Sequence, residues 1–105
     1  MGSTLDIERR PIEGGVQLVL EGELDISTVP DLRERLRALR EEEVTMVRLD
    51  ISALRFMDST GLRVLLSAQR EAQVAGWRLA LTRAPAHVQR MFELTRTEGV
   101  LPFED

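Results

Sequence analysis

The segment Asp58-Ser59-Thr60-Gly61 holds the residues of this chain whose types and spacing could do chemistry. It lies between a strand-like apolar run and an apolar helical pattern, so Asp58 and Ser59 fall near a helix N-terminus. In a structural interpretation, both side chains cap free backbone N–H groups there. In a functional interpretation, Ser59 accepts a phosphoryl group, because the free amides and the helix dipole stabilise a phosphate at this position. The two interpretations are compatible, because one exposed hydroxyl can serve both.

Other kinds of catalytic site do not fit this sequence. A retroviral-type aspartic protease needs glycine where Thr60 stands, and a serine hydrolase needs a base beside its nucleophile. The only histidine, His87, lies near the start of a predicted helix, and no Gly-x-Ser-x-Gly segment is present, which favours a solvated helix residue. The chain has neither the lysine of a phosphate-binding loop nor any cysteine. We therefore predict no catalytic residues, no metal site and no cofactor.

The composition also limits the partners that this chain could bind. Its net charge is −4, with 18 acidic and 14 basic residues, whereas nucleic-acid binding needs a clustered positive surface. No apolar run approaches the ~20 residues that cross a membrane, and the first residues lack the basic and apolar regions of a signal peptide. We expect a cytoplasmic protein without nucleic-acid binding or membrane insertion. Its 105 residues predict a single domain over 1–105.

Hydrophobic periodicity predicts the elements that precede the Asp58 segment. Alternating apolar residues indicate strands, and leucines at helical spacing indicate an amphipathic helix. The predicted elements are a short edge strand at 5–7, a turn at 11–15, a strand at 16–21, a helix around 32–39 and a buried central strand at 44–51. The two first strands are close enough in sequence to form a hairpin.

The same reasoning applies after the segment. A helix begins near Asp58 and ends at Gly76, and a strand follows at 77–81. Pro85 suits the first turn of a last helix, which Gly99 ends, and residues 100–103 could add a short strand. The order is β-β-α-β-α-β-α, with one optional further strand. Such alternation predicts an α/β fold with a mixed, mostly parallel sheet of four to five strands and helices packed on it.

Two motifs of this chain resemble those of a known family. The segment 56–62, Phe-Met-Asp-Ser-Thr-Gly-Leu, is similar to the signature of the STAS domain family, the bacterial anti-sigma factor antagonists. The segment Gly22-Glu23-Leu24-Asp25 resembles the family's second motif, in the loop after the second strand. Pro85 and residues 88–94 resemble its last helix. The resemblance covers essentially the whole chain and implies a STAS fold.

The resemblance also implies a role for individual residues. Ser59 corresponds to the family's phosphorylation site, and Thr60 to an alternative acceptor. Asp58 would orient the acceptor and contact the partner, and Asp25 would lie beside this site, although its neighbours alone suggest a helix-start residue. The implied partner surface consists of Asp25, Asp58, Ser59, Thr60, Gly61, Leu62 and Arg63.

The partners and the function that the resemblance implies are those of a regulatory module. An anti-sigma factor with kinase activity would bind the unphosphorylated chain, release its sigma factor, and phosphorylate Ser59 with its own ATP. A serine phosphatase would restore the binding form, so the chain would be a substrate and not an enzyme. The alternative is a STAS scaffold or accessory subunit of a stress-signalling complex or a lipid-transport ABC system. The intact hydroxyls of Asp58-Ser59-Thr60-Gly61 favour the first function.

Overall fold

Within the described part of the chain, four strands and three helices follow one another in the predicted order β-β-α-β-α-β-α. The computed structural model describes residues 2–104. The elements are β1 (Leu5–Ile12), β2 (Gly15–Leu24), α1 (Val29–Glu41), β3 (Met46–Met57), α2 (Ser59–Ala75), β4 (Arg78–Leu81) and α3 (Ala86–Leu94).

The strands form one sheet in the order β1-β2-β3-β4. β1 pairs with β2 as an antiparallel hairpin, whereas β3 pairs in parallel with both β2 and β4. This arrangement confirms the predicted mixed, mostly parallel sheet. The optional fifth strand is reduced to a single bridge between Leu81 and Phe103.

The core consists of buried residues of the sheet and of all three helices. Alternate residues of the central strands, such as Leu18 and Leu20 in β2 and Leu49 and Ile51 in β3, are fully buried. Residues between them, such as Asp50, are only half-buried, as the period of two in a strand requires. Apolar residues of the helices contribute to this core: Val29, Leu32, Leu39, Leu62, Val64, Leu65, Ala68, Ala72, Val88 and Phe92.

The central strands are longer than the sequence pattern predicted. β2 continues to Leu24 and β3 continues to Met57, and these two residues face each other in the parallel register. Burial of alternate residues continues through β2 to Leu24, whereas in β3 it breaks after Ile51, where the register with β2 shifts, and this break hides the end of β3 from a pattern with a period of two. The second motif therefore belongs largely to β2, and only its last residue, Asp25, lies in the following loop.

Two further boundaries differ from the predicted ones. Pro11 lies inside β1 and not in a turn, which an edge strand permits because one side of its backbone has no neighbour. α3 ends at Leu94, before Gly99, because Arg96 adopts a left-handed φ of 59° and Thr97 N–H donates to Phe92 O at 2.9 Å. Gly76 does end α2, with a φ of 84°, as predicted.

Candidate functional site

The candidate site lies where the parallel strands β2 and β3 end next to each other. The carboxyl ends of parallel strands lie at the same edge of a sheet, so the loop after β2 meets the N-terminus of α2. Two hydrogen bonds join them directly. Asp58 N–H donates to Leu24 O at 3.2 Å, and Ile26 N–H donates to Asp58 Oδ2 at 3.2 Å.

Asp58 is the N-cap of α2, which confirms its predicted capping role. Its backbone is extended, and its Oδ1 accepts hydrogen bonds from Thr60 N–H at 2.9 Å and Gly61 N–H at 3.0 Å. Together with the bond from Ile26, the carboxylate accepts three backbone N–H groups from two segments. Asp58 therefore fixes the loop after β2 relative to the first turn of α2.

Ser59 is the first residue of α2 and its side chain is exposed. Between residues 2 and 104, its hydroxyl takes part in no hydrogen bond, so the predicted capping by Ser59 itself is wrong because Asp58 already fills that role. Thr60, the alternative acceptor, is half-buried. The Ser59 hydroxyl is therefore the freer of the two nucleophiles.

Asp25 is buried, with 8% of its surface exposed, and its carboxylate organises the loop. Oδ2 accepts a hydrogen bond from Ser3 Oγ, and Oδ1 accepts from Ser27 Oγ at 2.8 Å and Ser27 N–H at 3.0 Å. These hydrogen bonds lower the pKa of the Asp25 carboxyl below its ordinary value. The bond from Ser3 has the largest effect, and the bond from Ser27 Oγ has the next largest. Thr28 Oγ1 accepts from Asp25 N–H at 3.0 Å and closes the same turn.

The predicted partner surface divides into buried and exposed members. Gly61 and Leu62 are buried, and Gly61 lies so close to β2 that an added Cβ would stand 2.5 Å from Leu24 O. Arg63 is exposed on α2, as is Arg70 two turns later. Gly61 and Leu62 thus position the helix, while Ser59 and Arg63 offer side chains to solvent.

Sequence reasoning gave no role to two apolar side chains near this site. Ile26 is 74% exposed in the loop after β2, and Phe56 is 49% exposed near the end of β3. The signal for Ile26 was present, because a large apolar residue stands there between Asp25 and Ser27 in an otherwise polar loop. Phe56 stands in the segment 56–62, and nothing in the sequence distinguishes it there from a buried strand residue.

The structure also places His87 and allows a search of the described residues for metal-binding groups and membrane-spanning helices. His87 is exposed in the first turn of α3, as predicted, and its Nε2 lies 2.6 Å from Arg55 O. Across residues 2–104, no three or more His, Cys, Asp or Glu side chains are grouped so as to hold a metal ion. No helix in that same part of the chain is long and apolar enough to cross a membrane.

This chain is similar in sequence and in structure to several known bacterial proteins. The anti-sigma-B factor antagonist of Listeria monocytogenes is 26% identical over 105 residues, which cover all of this chain and 91% of that protein. An anti-sigma factor antagonist from Mycobacterium paratuberculosis has a TM-score of 0.81 at 23% identity, over 95% of this chain and 85% of that chain. The Bacillus cell fate determinant SpoIIAA in its phosphorylated form has a TM-score of 0.72 at 24% identity, over 97% and 90%. The family model described as "Mlab, STAS domain" matches residues 10–102, and the chain therefore belongs to the STAS domain family.

Proposed function

We propose that this chain is an anti-sigma factor antagonist that is switched by phosphorylation of Ser59. In the unphosphorylated state it binds an anti-sigma factor of the kinase type, which then releases its sigma factor. The observation that carries the proposal is the Ser59 hydroxyl, which is exposed, free of hydrogen bonds within residues 2–104, and held at the start of α2 by the Asp58 cap. The names of the similar proteins support the same function.

A phosphate at Ser59 is compatible with the folded domain. It adds about −1.5 to −2 charges at neutral pH, and the dipole at the N-terminus of a helix as long as α2 favours negative charge there. The side chain is exposed, so the phosphate stays hydrated in the free protein. The fold therefore tolerates the modification, and its energetic cost falls on any interface that must dehydrate the phosphate.

The position of Asp58 increases the energetic cost of a phosphate at a partner interface. Its carboxylate already occupies the N–H groups of Thr60 and Gly61, which are the amides that a phosphate at a helix N-terminus would otherwise use. The phosphate is thus left with few internal donors and adjoins a second negative group. A partner surface that fits the neutral serine next to one carboxylate would face two like charges after phosphorylation.

The phosphoryl transfer uses this chain as a substrate. Ser59 Oγ attacks the γ-phosphorus of ATP held by the anti-sigma factor, and the new Oγ–P bond forms as the bond to the β,γ-bridging oxygen breaks. The hydroxyl proton passes to a base of the partner, and ADP leaves. A serine phosphatase then hydrolyses the phosphoserine to serine and inorganic phosphate, which restores the binding form.

Two variants of Ser59 test the proposal. Ser59→Ala removes the acceptor without adding charge, so we expect it to bind a kinase-fold anti-sigma factor of the same genome as tightly as the wild type does. Ser59→Asp places a charge in the interface at a cost of about 2 kcal/mol or more, which corresponds to a loss of affinity of roughly thirtyfold. Isothermal titration calorimetry measures both affinities, and thermal melts establish that both variants fold.

The outcomes distinguish the proposed switch from other functions. Equal affinities of Ser59→Ala and Ser59→Asp, with wild-type melting, would favour the alternative of a scaffold or transport subunit, which needs no switch at this position. Incubation with the kinase and ATP, followed by peptide mass spectrometry, identifies the acceptor. Phosphate on Thr60 alone would transfer the proposal to that residue and contradict the assignment of Ser59.

A further inference from the structure

Ile26 is more exposed than Phe56, the other large apolar side chain that the fold leaves in water near the phosphoacceptor. It is 74% exposed, although burial of an isoleucine is one of the larger favourable contributions available to a small domain. Its backbone N–H donates to Asp58 Oδ2 at 3.2 Å, and Asp58 directly precedes Ser59. An exposed Ile26 thus adjoins the site on which the proposed function depends.

The loop that carries Ile26 is held by hydrogen bonds on both sides. Before it, the Asp25 carboxylate accepts bonds from Ser3 and Ser27. After it, Thr28 Oγ1 donates to Glu23 O at 2.8 Å and accepts from Asp25 N–H at 3.0 Å. The polar side chains of the loop therefore form hydrogen bonds within the protein, whereas the side chain of Ile26 faces solvent. A loop whose backbone is held in this way loses little conformational freedom on binding, which favours the use of Ile26 as a contact.

We propose that Ile26 is the apolar anchor of the interface with the kinase-type anti-sigma factor. It inserts into a pocket of aliphatic side chains on that partner, beside the groups that receive Ser59. This inference rests on the proposed function and adds the chemistry of the partner surface. The Asp58 carboxylate bonds both the backbone of Ile26 and the start of α2. Insertion of Ile26 into its pocket therefore also positions Ser59 for phosphoryl transfer.

A matched pair of variants tests the anchor. Ile26→Ala removes most of an exposed apolar side chain, and Val74→Ala does the same at a position of α2 that is 82% exposed. Val74 is 15 residues after Ser59 in the same helix, roughly 22 Å away along its axis. We expect Ile26→Ala to weaken binding to the anti-sigma factor at least tenfold, Ile26→Val to weaken it by less, and Val74→Ala to leave it within twofold of wild type.

The measurement separates failure of the anchor from failure of the proposed function. Calorimetry is run on wild type, Ser59→Asp, Ile26→Ala, Ile26→Val and Val74→Ala against the same purified kinase-fold anti-sigma factor. If Ser59→Asp binds at least roughly thirtyfold more weakly than wild type while Ile26→Ala binds like wild type, the anchor is wrong while the switch stands. If Val74→Ala weakens binding as much as Ile26→Ala does, the anchor is also wrong. If wild type binds none of the kinase-fold anti-sigma factors of its genome, the proposed function fails and the anchor with it.

Discussion

At the scale of single residues, two aspartates near Ser59 do different work with the same functional group. The Asp58 carboxylate accepts three backbone N–H groups and joins a loop to a helix, whereas the Asp25 carboxylate accepts mainly from serine side chains and folds its own loop. A carboxylate can do either because it offers about four lone-pair sites on two oxygens. Asp58 fixes both the backbone of Ile26 and the start of α2, whereas Asp25 folds only the loop that carries Ile26.

The lowered pKa of Asp25 makes part of the stability depend on pH. Because its pKa in the folded protein lies below the ordinary value of 3.8, Asp25 contributes stability above that value and loses it as pH falls through the folded pKa. We expect Asp25→Asn to be less stable than wild type at pH 7, because an amide cannot accept at both oxygen positions. The difference should narrow as pH falls below about 4, because the unfolded chain then binds a proton at Asp25 before the folded protein does.

Urea denaturation of both proteins across this pH range measures the difference. Other carboxylates with lowered pKa values, such as Glu42 beside Arg9, reduce the stability of both proteins in acid and cancel in the comparison. Ser3→Ala removes the bond that contributes most to the Asp25 shift, so it should reproduce part of the same pH dependence. A difference that stays constant from pH 7 to pH 2 would contradict this assignment.

At the scale of elements, the close approach of α2 to the end of β2 determines where Ser59 is presented. Gly61, in the first turn of α2, packs against the backbone of Leu24 and the side chain of Met57. The absence of a Cβ there lets the helix start directly over the ends of β2 and β3. The glycine of the motif thus has a packing reason, which is separate from any contact with a partner.

Gly61→Ala should destabilise the domain through this contact. The added Cβ would lie 2.5 Å from Leu24 O and 2.7 Å from Met57 Cγ, so the helix must shift, and we expect a loss of about 1–3 kcal/mol. Gly99→Ala is the matched control, because nothing lies within 4 Å of its added Cβ, and it should stay within about 0.5 kcal/mol of wild type. Urea denaturation compares the two, and equal stabilities would show that α2 does not need the close approach.

At the scale of the whole molecule, the order of elements and the sheet type could be predicted because they depend on local patterns. The alternation of apolar residues in 16–21 predicts a strand, and the helical spacing of apolar residues after Asp58 predicts a helix. The extension of β3 to Met57 could not be predicted, since its alternation breaks after Ile51 and its last residues are held by pairing with β2, which is distant in sequence. The same holds for Ile26, whose exposure is set by hydrogen bonds to Asp58 and through Asp25 to Ser3, and not by its neighbours in sequence.

The C-terminal segment illustrates the same limit, because it contributes through packing and not as a full strand. Pro102 O accepts from Leu81 N–H at 3.0 Å, and Glu104 N–H donates to Leu81 O at 2.8 Å, so the segment lies along the free edge of β4. Between these bonds, the Phe103 ring packs edge-to-face on the fully buried Phe92, with centroids 5.0 Å apart. Residues 102–104 thus pack against β4 and the core residue Phe92.

Phe103→Ala should therefore destabilise the entire domain and not merely loosen its end. A fully buried Phe→Ala change costs about 3–5 kcal/mol, and Phe103 is half-buried, so we expect a loss of about 2 kcal/mol, which lowers Tm by roughly 10 °C in a domain of this size. Leu94→Ala, at a position of α3 that is 70% exposed, is the control and should change the stability by less than about 0.5 kcal/mol. Thermal and urea unfolding followed by circular dichroism measure both variants.

Since Phe92 belongs to the same core as the central strands, the Phe103→Ala loss should appear as one cooperative transition at lower temperature. A separate early transition, with the main one unchanged, would show instead that the C-terminal segment is an independent addition to the fold.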